Sequence, residues 1–388
     1  MTISAPPLPR DEFPTTRRWA YLNHAGMGPI PLPAVNAMVQ RAMELACDGE
    51  LAWDEHKANV ERVRALGARL MGVPSADVAF IKNTTEGLGF VANGLPWRAG
   101  DRVVVSDLDF RRASTRGWRS ASAACASISC VPRAPGRRCP ARPSRRSSPR
   151  ARRRRSSPPA GCSSDAAGAW TCRRSRTCPM TRGPVLRRRH PGAWRDPAEL
   201  ERWGVDFAMA DGHKWLLGPQ GTGLLYVRAA RRDLLRPLEP GWNAMRHREQ
   251  WDELALAYDD SARRFEGGMP NIIGIAGLGG SLGLLLEAGV HAIWAHVDAL
   301  LEHACAGLSR LGATVLSERG GDGRSGIVSC TLAGHDASAL GTALRARGFA
   351  CGARSGALRI APHGYNNTEE IDRLLHAIAE LTAGGRSA

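Results

Sequence analysis

The stretch "MADGHKWLLGPQGTGLLYVR", residues 209–228, sets an Asp, a His and a Lys between an apolar run and a glycine-rich turn. The residues before it, "VDFAMAD", have the length and apolar content of a strand ending at Asp211, and "GLLYVR" has those of a second strand. Lys214 therefore stands in a turn, one residue past His213, close to backbone and partly desolvated. Burial disfavours an ammonium and frees the amine to act as nucleophile or base. The plainer reading is a lysine on a surface loop, where most lysines are found. The flanking glycines, which let backbone approach a ligand closely, favour chemistry.

Working outward, residues 32–70 read as two helices. "LPAVNAMVQRAMELA" is the first, and in "WDEHKANVERVRALGARLMG" Val60, Val63, Leu66 and Leu70 recur every three or four positions. "ADVAFIKNTTEGLGFVANGL" is a strand, a turn and an apolar helix; "GDRVVVSDLDF" opens a second such unit. "AELERWGVDFAMADGHKW" is a helix leading into the strand before Lys214, and "GIVSCTL", "DASALGTALRARG", "ALRIAPH" and "NTEEIDRLLHAIAEL" alternate strand and helix to the C-terminus. Alternation of this kind predicts a parallel sheet covered by helices. The expected organisation is a large unit over residues 21–262 and a smaller one from 1–20 and 263–388.

A chain of 388 residues can bury a large core. Its net charge of +16 would ordinarily point to nucleic acid or an acidic membrane surface, but the charge sits in one block. Residues 111–197 hold 23 Arg, no Lys and two acidic residues, a local net of +21, which leaves the rest at −5. The block also holds six of the ten Cys and 11 of the 25 Pro, with text such as "CPARPSRRSSPRARRRRSSPPAGC" and no periodic apolar pattern. Its aromatic residues are only Trp118, Trp170 and Trp194, and no recognition motif appears, so specific nucleic-acid binding is not expected.

The remaining cysteines, Cys47, Cys305, Cys330 and Cys351, are scattered singly, which suits reduced thiols in a cytoplasmic protein and no metal site. The N-terminus has no targeting pattern. The one long apolar run, "IIGIAGLGGSLGLLLEAGV", contains Glu287 and many glycines and reads as a buried helix rather than a membrane span. In "KNTTEG", residues 82–87, two hydroxyls and free N–H groups at a helix start make an anion site, and the same residues also make a capping box of Thr84 or Thr85 with Glu86.

Five motifs in order, "YLNHAGMGPIP", "FIKNTTEGL", "ADGHKWLLGPQGTGLLYVR", "RRFEGGMPNIIGIAGL" and "LRIAPHGYNNTEEID", resemble those of the class V aminotransferase family of pyridoxal-phosphate enzymes. That family includes cysteine desulfurases and kynureninase-like and isopenicillin N epimerase-like proteins. The resemblance covers residues 21–110 and 199–381, about seven-tenths of the chain. It implies the type I pyridoxal-phosphate fold, α/β with a mostly parallel central sheet and a smaller C-terminal domain, working as a homodimer on an amino-acid substrate. It implies that Lys214 forms the Schiff base with pyridoxal 5'-phosphate and shuttles the α-proton. Thr84, Thr85, Asp211 and His213 would surround the cofactor, with Phe110 stacked on its ring. Arg359 would clamp the substrate carboxylate, with Asn23 and His24 nearby. Where the family has a Thr that reaches the partner's phosphate this chain has Met269, which carries no hydroxyl. A desulfurase needs a nucleophilic Cys on a loop before the Arg; Cys351 lies eight residues before Arg359, which leaves little loop.

One departure concerns the electron sink. The family places an Asp about two dozen residues before the Lys to pair with the pyridinium nitrogen, and this chain has "RRRHPG" there, residues 187–192. Those six residues can be encoded CGT CGA CGC CAT CCA GGN, and the same bases read one position later give Val-Asp-Ala-Ile-Gln. The expectation is that residues 111 to about 197 are translated out of frame between compensating shifts. An alternative is an inactive chain whose arginines bind nucleic acid incidentally.

Overall fold

The computed structural model describes residues 3–98, 102–106, 127–131, 162–164, 170–172, 186–188, 200, 204–250, 256–320 and 324–383. β1 (Ala20–Tyr21) leads to α1 (Leu32–Asp48), α2 (Trp53–Met71), β2 (Val78–Ile81) and α3 (Thr84–Gly94). β3 (Arg102–Ser106), β4 (Ser127–Val131), β5 (Cys162–Ser164), β6 (Trp170–Cys172) and β7 (Leu186–Arg188) follow. β8 (Phe207–Asp211) and β9 (Gly223–Val227) flank the lysine turn, and α4 (Ile272–Ala288) and α5 (Val290–Arg310) come next. The C-terminal part runs β10 (Thr314–Val315), β11 (Val328–Thr331), α6 (Ala337–Ala346), β12 (Phe349–Ala350), β13 (Gly352–Arg354), β14 (Ala357–Ile360) and α7 (Thr368–Ala383). The helices expected over 32–70 and the strand, turn and helix over 78–94 form where the periodicity places them. The helix expected just before β8 lies largely outside the described residues.

The sheet behind the lysine turn has the order β2-β9-β8-β7. β7 runs parallel to β8, and β3 parallel to β4, as expected for an alternating chain. β9 is antiparallel to both of its neighbours. The reason is the connection: β8 and β9 are joined by residues 212–222, too few for the helical crossover that two adjacent parallel strands require.

Helices cover both faces of this sheet, which is why its strands are apolar throughout rather than alternating. Phe207, Met209, Leu225 and Val227 pack with Leu88, Phe90 and Val91 of α3 on one face. Ala208, Leu224 and Tyr226 pack with Val60 and Val63 of α2 and Ile275, Leu278 and Leu282 of α4 on the other. The long apolar run is thus the buried helix α4. Among the described residues no single helix is long and apolar enough to cross a membrane; α4 and α5 meet that measure only as a pair bent by 79°.

A third cluster joins the N-terminal segment to the C-terminal part. Leu8, Phe13 and Leu22 pack against Leu300 and Val297 of α5, Leu358 of β14 and Leu374 of α7. β1 pairs parallel with β12, Ala20 opposite Phe349. The C-terminal sheet is antiparallel, in the order β10-β11-β14-β13.

Candidate active site

β8 ends at Asp211, and the chain then turns through Gly212, His213 and Lys214. The turn is fastened from several sides. Gly212 N–H donates to Thr222 O at 2.8 Å, Gly218 N–H to Gly212 O at 2.9 Å and Leu217 N–H to Lys214 O at 3.1 Å. Leu217 sits at φ 54°, a conformation costly for a branched side chain; its carbonyl accepts the buried Ser281 hydroxyl at 2.7 Å. Gly28 N–H reaches across to His213 O at 2.8 Å. A Cβ at Gly28 would lie 2.5 Å from Lys214 O, so only glycine permits that approach.

The Lys214 ammonium pairs with the buried Asp211 carboxylate. Asp211 also accepts the Thr84 N–H at 2.7 Å and the Thr84 hydroxyl at 3.2 Å. Burial pushes the Asp211 carboxyl up, but the Lys214 charge and the hydrogen bonds from Lys214 and Thr84 outweigh it and hold the group below its ordinary value. Asp211 is therefore the ionised group that joins the lysine turn to the N-terminus of α3.

At that N-terminus the cap is Asn83, one residue earlier than the threonines. Its side chain accepts the Glu86 N–H at 3.0 Å, and Glu86 accepts the Lys82 N–H at 2.6 Å. Neither Thr84 nor Thr85 is the cap: Thr84 is buried and spent on Asp211, and Thr85 is exposed. An Asn followed three residues later by Glu is itself a capping signal legible in the sequence.

His213 lies in the lysine turn, between Gly212 and Lys214, with its Nδ1 buried and without a partner. Burial first, and the Lys214 charge after it, lower its pKa against the opposing pull of Asp211, so the ring is neutral.

The other half of the site is Arg359 on β14. Its Nη2 donates to Asn23 Oδ1 at 3.0 Å, while its Nε is buried without a partner. Gly352 faces it across the β13–β14 pair. A Cβ there would meet Asn23 Oδ1 at 2.9 Å and Arg359 Nε at 3.1 Å, so Gly352 leaves the guanidinium its room. Residues 23–28 bridge the two halves, with Asn23 on Arg359 and Gly28 on His213.

His24, expected near the substrate, points instead into the interior and is fully buried. Its Nδ1 lies 2.8 Å from Ala361 O and so carries the proton; Nε2, 2.8 Å from the Tyr365 hydroxyl, accepts. Burial holds its pKa well below the ordinary value. With both nitrogens engaged, His24 supports Asn23 from behind and presents no atom to a ligand. His363, which the sequence reading passed over, completes this backing: Gly364 N–H donates to its Nδ1 at 2.8 Å, and its Nε2–H donates to Trp215 O at 3.1 Å. Burial lowers the His363 pKa to about 4.

Phe110 lies outside the described residues, and of residues 187–192 only the backbone of Arg187 and Arg188 in β7 is described. Among the described residues no group of three or more His, Cys, Asp or Glu could hold a metal ion.

The family model for aminotransferase class-V matches residues 20–136 and 192–374. The chain belongs to that family. Its fold is the type I fold of pyridoxal-phosphate enzymes, and pyridoxal phosphate is the family's cofactor. The match is interrupted inside the arginine-rich block, at 137–191, a narrower gap than the 111–197 expected from composition. An uncharacterized aminotransferase of Bacillus subtilis is 33% identical over 187 residues, 48% of each chain. A probable cysteine desulfurase of Aeropyrum pernix is 33% identical over 208 residues, 48% of this chain and 49% of that one. The chain thus spans about half the length of the curated relatives it matches. An apo cysteine desulfurase from Thermococcus onnurineus shares the fold with a TM-score of 0.76 over 97% of both chains, at 19% identity.

Proposed function

We propose that this chain is a pyridoxal-phosphate-dependent enzyme acting at the α-carbon of an amino acid, with Lys214 as the residue that holds the cofactor covalently. The observation that carries the reading is the fastened turn, which sets the Lys214 amine, 15% exposed, against a buried carboxylate at the N-terminus of an 11-residue helix. The residues at the lysine turn and the start of α3 fit the cofactor's phosphate. The N–H and hydroxyl of Thr85 at that positive helix end, with the unpartnered His213 Nδ1, suit a phosphate.

When bound, the cofactor supplies an electron sink for the bond broken at the α-carbon. The chain supplies the rest. Lys214 Nζ takes and returns the α-proton, and Arg359 with Asn23 holds the substrate carboxylate through paired N–H donors. The same reading carries a homodimeric assembly and the aminotransferase or epimerase branch of the family. Desulfurase chemistry, the runner-up, is disfavoured by Cys351: it packs against the C-terminal core, and burial, with Cys330 next, pushes its thiol up to about 12, far from a nucleophilic thiolate.

A second reading is favoured by the break in the family match. The pyridinium Asp is expected inside residues 137–191, where the chain as translated carries arginines. We infer that the part of the block where the match breaks, 137–191, is out of frame and that the chain as translated is inactive. Resequencing the gene across codons 108–203 tests the frame. Borohydride trapping after incubation with pyridoxal phosphate tests the lysine. The frame-restored chain should yield one pyridoxyl adduct, on Lys214, that Lys214→Ala abolishes, and the chain as translated should yield little or none. An adduct spread over surface lysines would sink the assignment of Lys214.

A further inference from the structure

Asp211 stands where an anion belongs. The first N–H of α3 and the Thr84 hydroxyl beside it both point at this carboxylate, which arrives from a strand 127 residues away and is 7% exposed. Helix N-termini favour negative charge, and here the protein provides that charge itself. The remaining donors at the helix end are few, since the Glu86 N–H is taken by Asn83 and the Lys82 N–H by Glu86. A phosphate arriving there meets the exposed Thr85 freely, but gains the Thr84 donors only if Asp211 releases them. Two anions on one helix end repel, and the Lys214 ammonium is the one described cation paired with Asp211.

We propose that Asp211 is a positioning residue that occupies the anion place at the N-terminus of α3, holding the Lys214 amine beside it and competing with a phosphate for that helix end. This rests on the reading of α3 and Lys214 as the cofactor site. Asp211 then has two opposed effects. It weakens phosphate capture, and it holds the amine in place through their ion pair. A carboxylate with only a structural role would have one effect, and its loss would slacken the helix end and weaken phosphate binding.

The test uses the full chain and inorganic phosphate, with binding followed by calorimetry. Asp211→Asn, which removes the charge and keeps the shape, should bind phosphate at least ten-fold more tightly, the release of like-charge repulsion. In the same variant Lys214 should be labelled several-fold faster by reductive methylation, read by mass spectrometry, because its ion pair is gone. Asp211→Ser, which keeps an acceptor for the Thr84 N–H, should show the same two changes and serves where the Asn variant folds poorly. Phosphate binding unchanged or weaker in both variants, or labelling of Lys214 unchanged, overturns the proposal. Phosphate is bound without any bond to lysine. If borohydride trapping shows that Lys214 does not carry the cofactor, the response of phosphate affinity to Asp211 is still read independently.

Discussion

Behind the lysine turn, His24 and His363 spend both ring nitrogens on fixed partners, and Asn366 holds the Tyr21 carbonyl and the Glu370 carboxylate at once. In front of it, His213 Nδ1 and Arg359 Nε are buried with no partner at all. Trp215 Nε1 and His296 Nδ1 are the exceptions on the inner side. The contrast is between frame and working surface. A buried polar group normally finds a partner because leaving it bare costs about 1–3 kcal/mol. Bareness alone does not separate the sides; on the function proposed above, a ligand supplies what the protein leaves out at His213 and Arg359, whereas Trp215 and His296 stay bare inside the core.

The comparison breaks most readily at the seam between the two sides. Gly28→Ala drives a Cβ into the Lys214 carbonyl and should cost about 3 kcal/mol, the upper end for overpacking, since backbone rather than a side-chain tip must move. Urea denaturation measures it, and a loss under about 0.5 kcal/mol would mean that the turn is looser than its hydrogen bonds indicate.

Acid probes the inner side next. His363 is neutral in the fold down to about pH 4, against an ordinary histidine value of 6.5 in the unfolded chain. The unfolded state therefore binds the proton first, and stability falls as pH drops from 6.5 toward 4. Between pH 7 and 5 the loss from His363 alone should be roughly 2 kcal/mol, with His24 acting in the same direction. His363→Gln should flatten that dependence, as read from denaturation curves at the two pH values.

Tyr365→Phe removes the hydroxyl that donates to His24 Nε2 and leaves a buried acceptor bare, a cost of about 1–2 kcal/mol with the pH dependence retained. The smallest stability effect belongs to the working surface. Gly352→Ala presses on the ends of two adjustable side chains, Asn23 and Arg359, and should cost under about 1 kcal/mol. On the function proposed above, its measurable consequence is weaker binding of a substrate carboxylate by the frame-restored chain, with stability nearly unchanged. Equal losses in stability from Gly28→Ala and Gly352→Ala would erase the distinction between the sides.

Much of the site was legible from local text. The spacing of Val60, Val63 and Leu70 marked α2, and the strand, turn and glycines around Lys214 marked the lysine. Asn83 as the cap was legible too, in its three-residue spacing to Glu86, although the neighbouring threonines drew the reading. The roles of His24 and Asp211 were not legible, because their partners Tyr365 and Thr84 lie 341 and 127 residues away. No periodicity reports such distances.

What the sequence by itself determined is therefore the family and the helices and strands on either side of the lysine turn, since these depend on the period of apolar residues and on short motifs that fold locally. The tertiary structure decided which side of each motif is used. It turned β9 antiparallel because eleven residues cannot cross over, sent His24 inward because its two nitrogens meet Ala361 and Tyr365, and brought Asp211 onto the α3 N-terminus. Those outcomes depend on where separate segments meet, and only packing sets that.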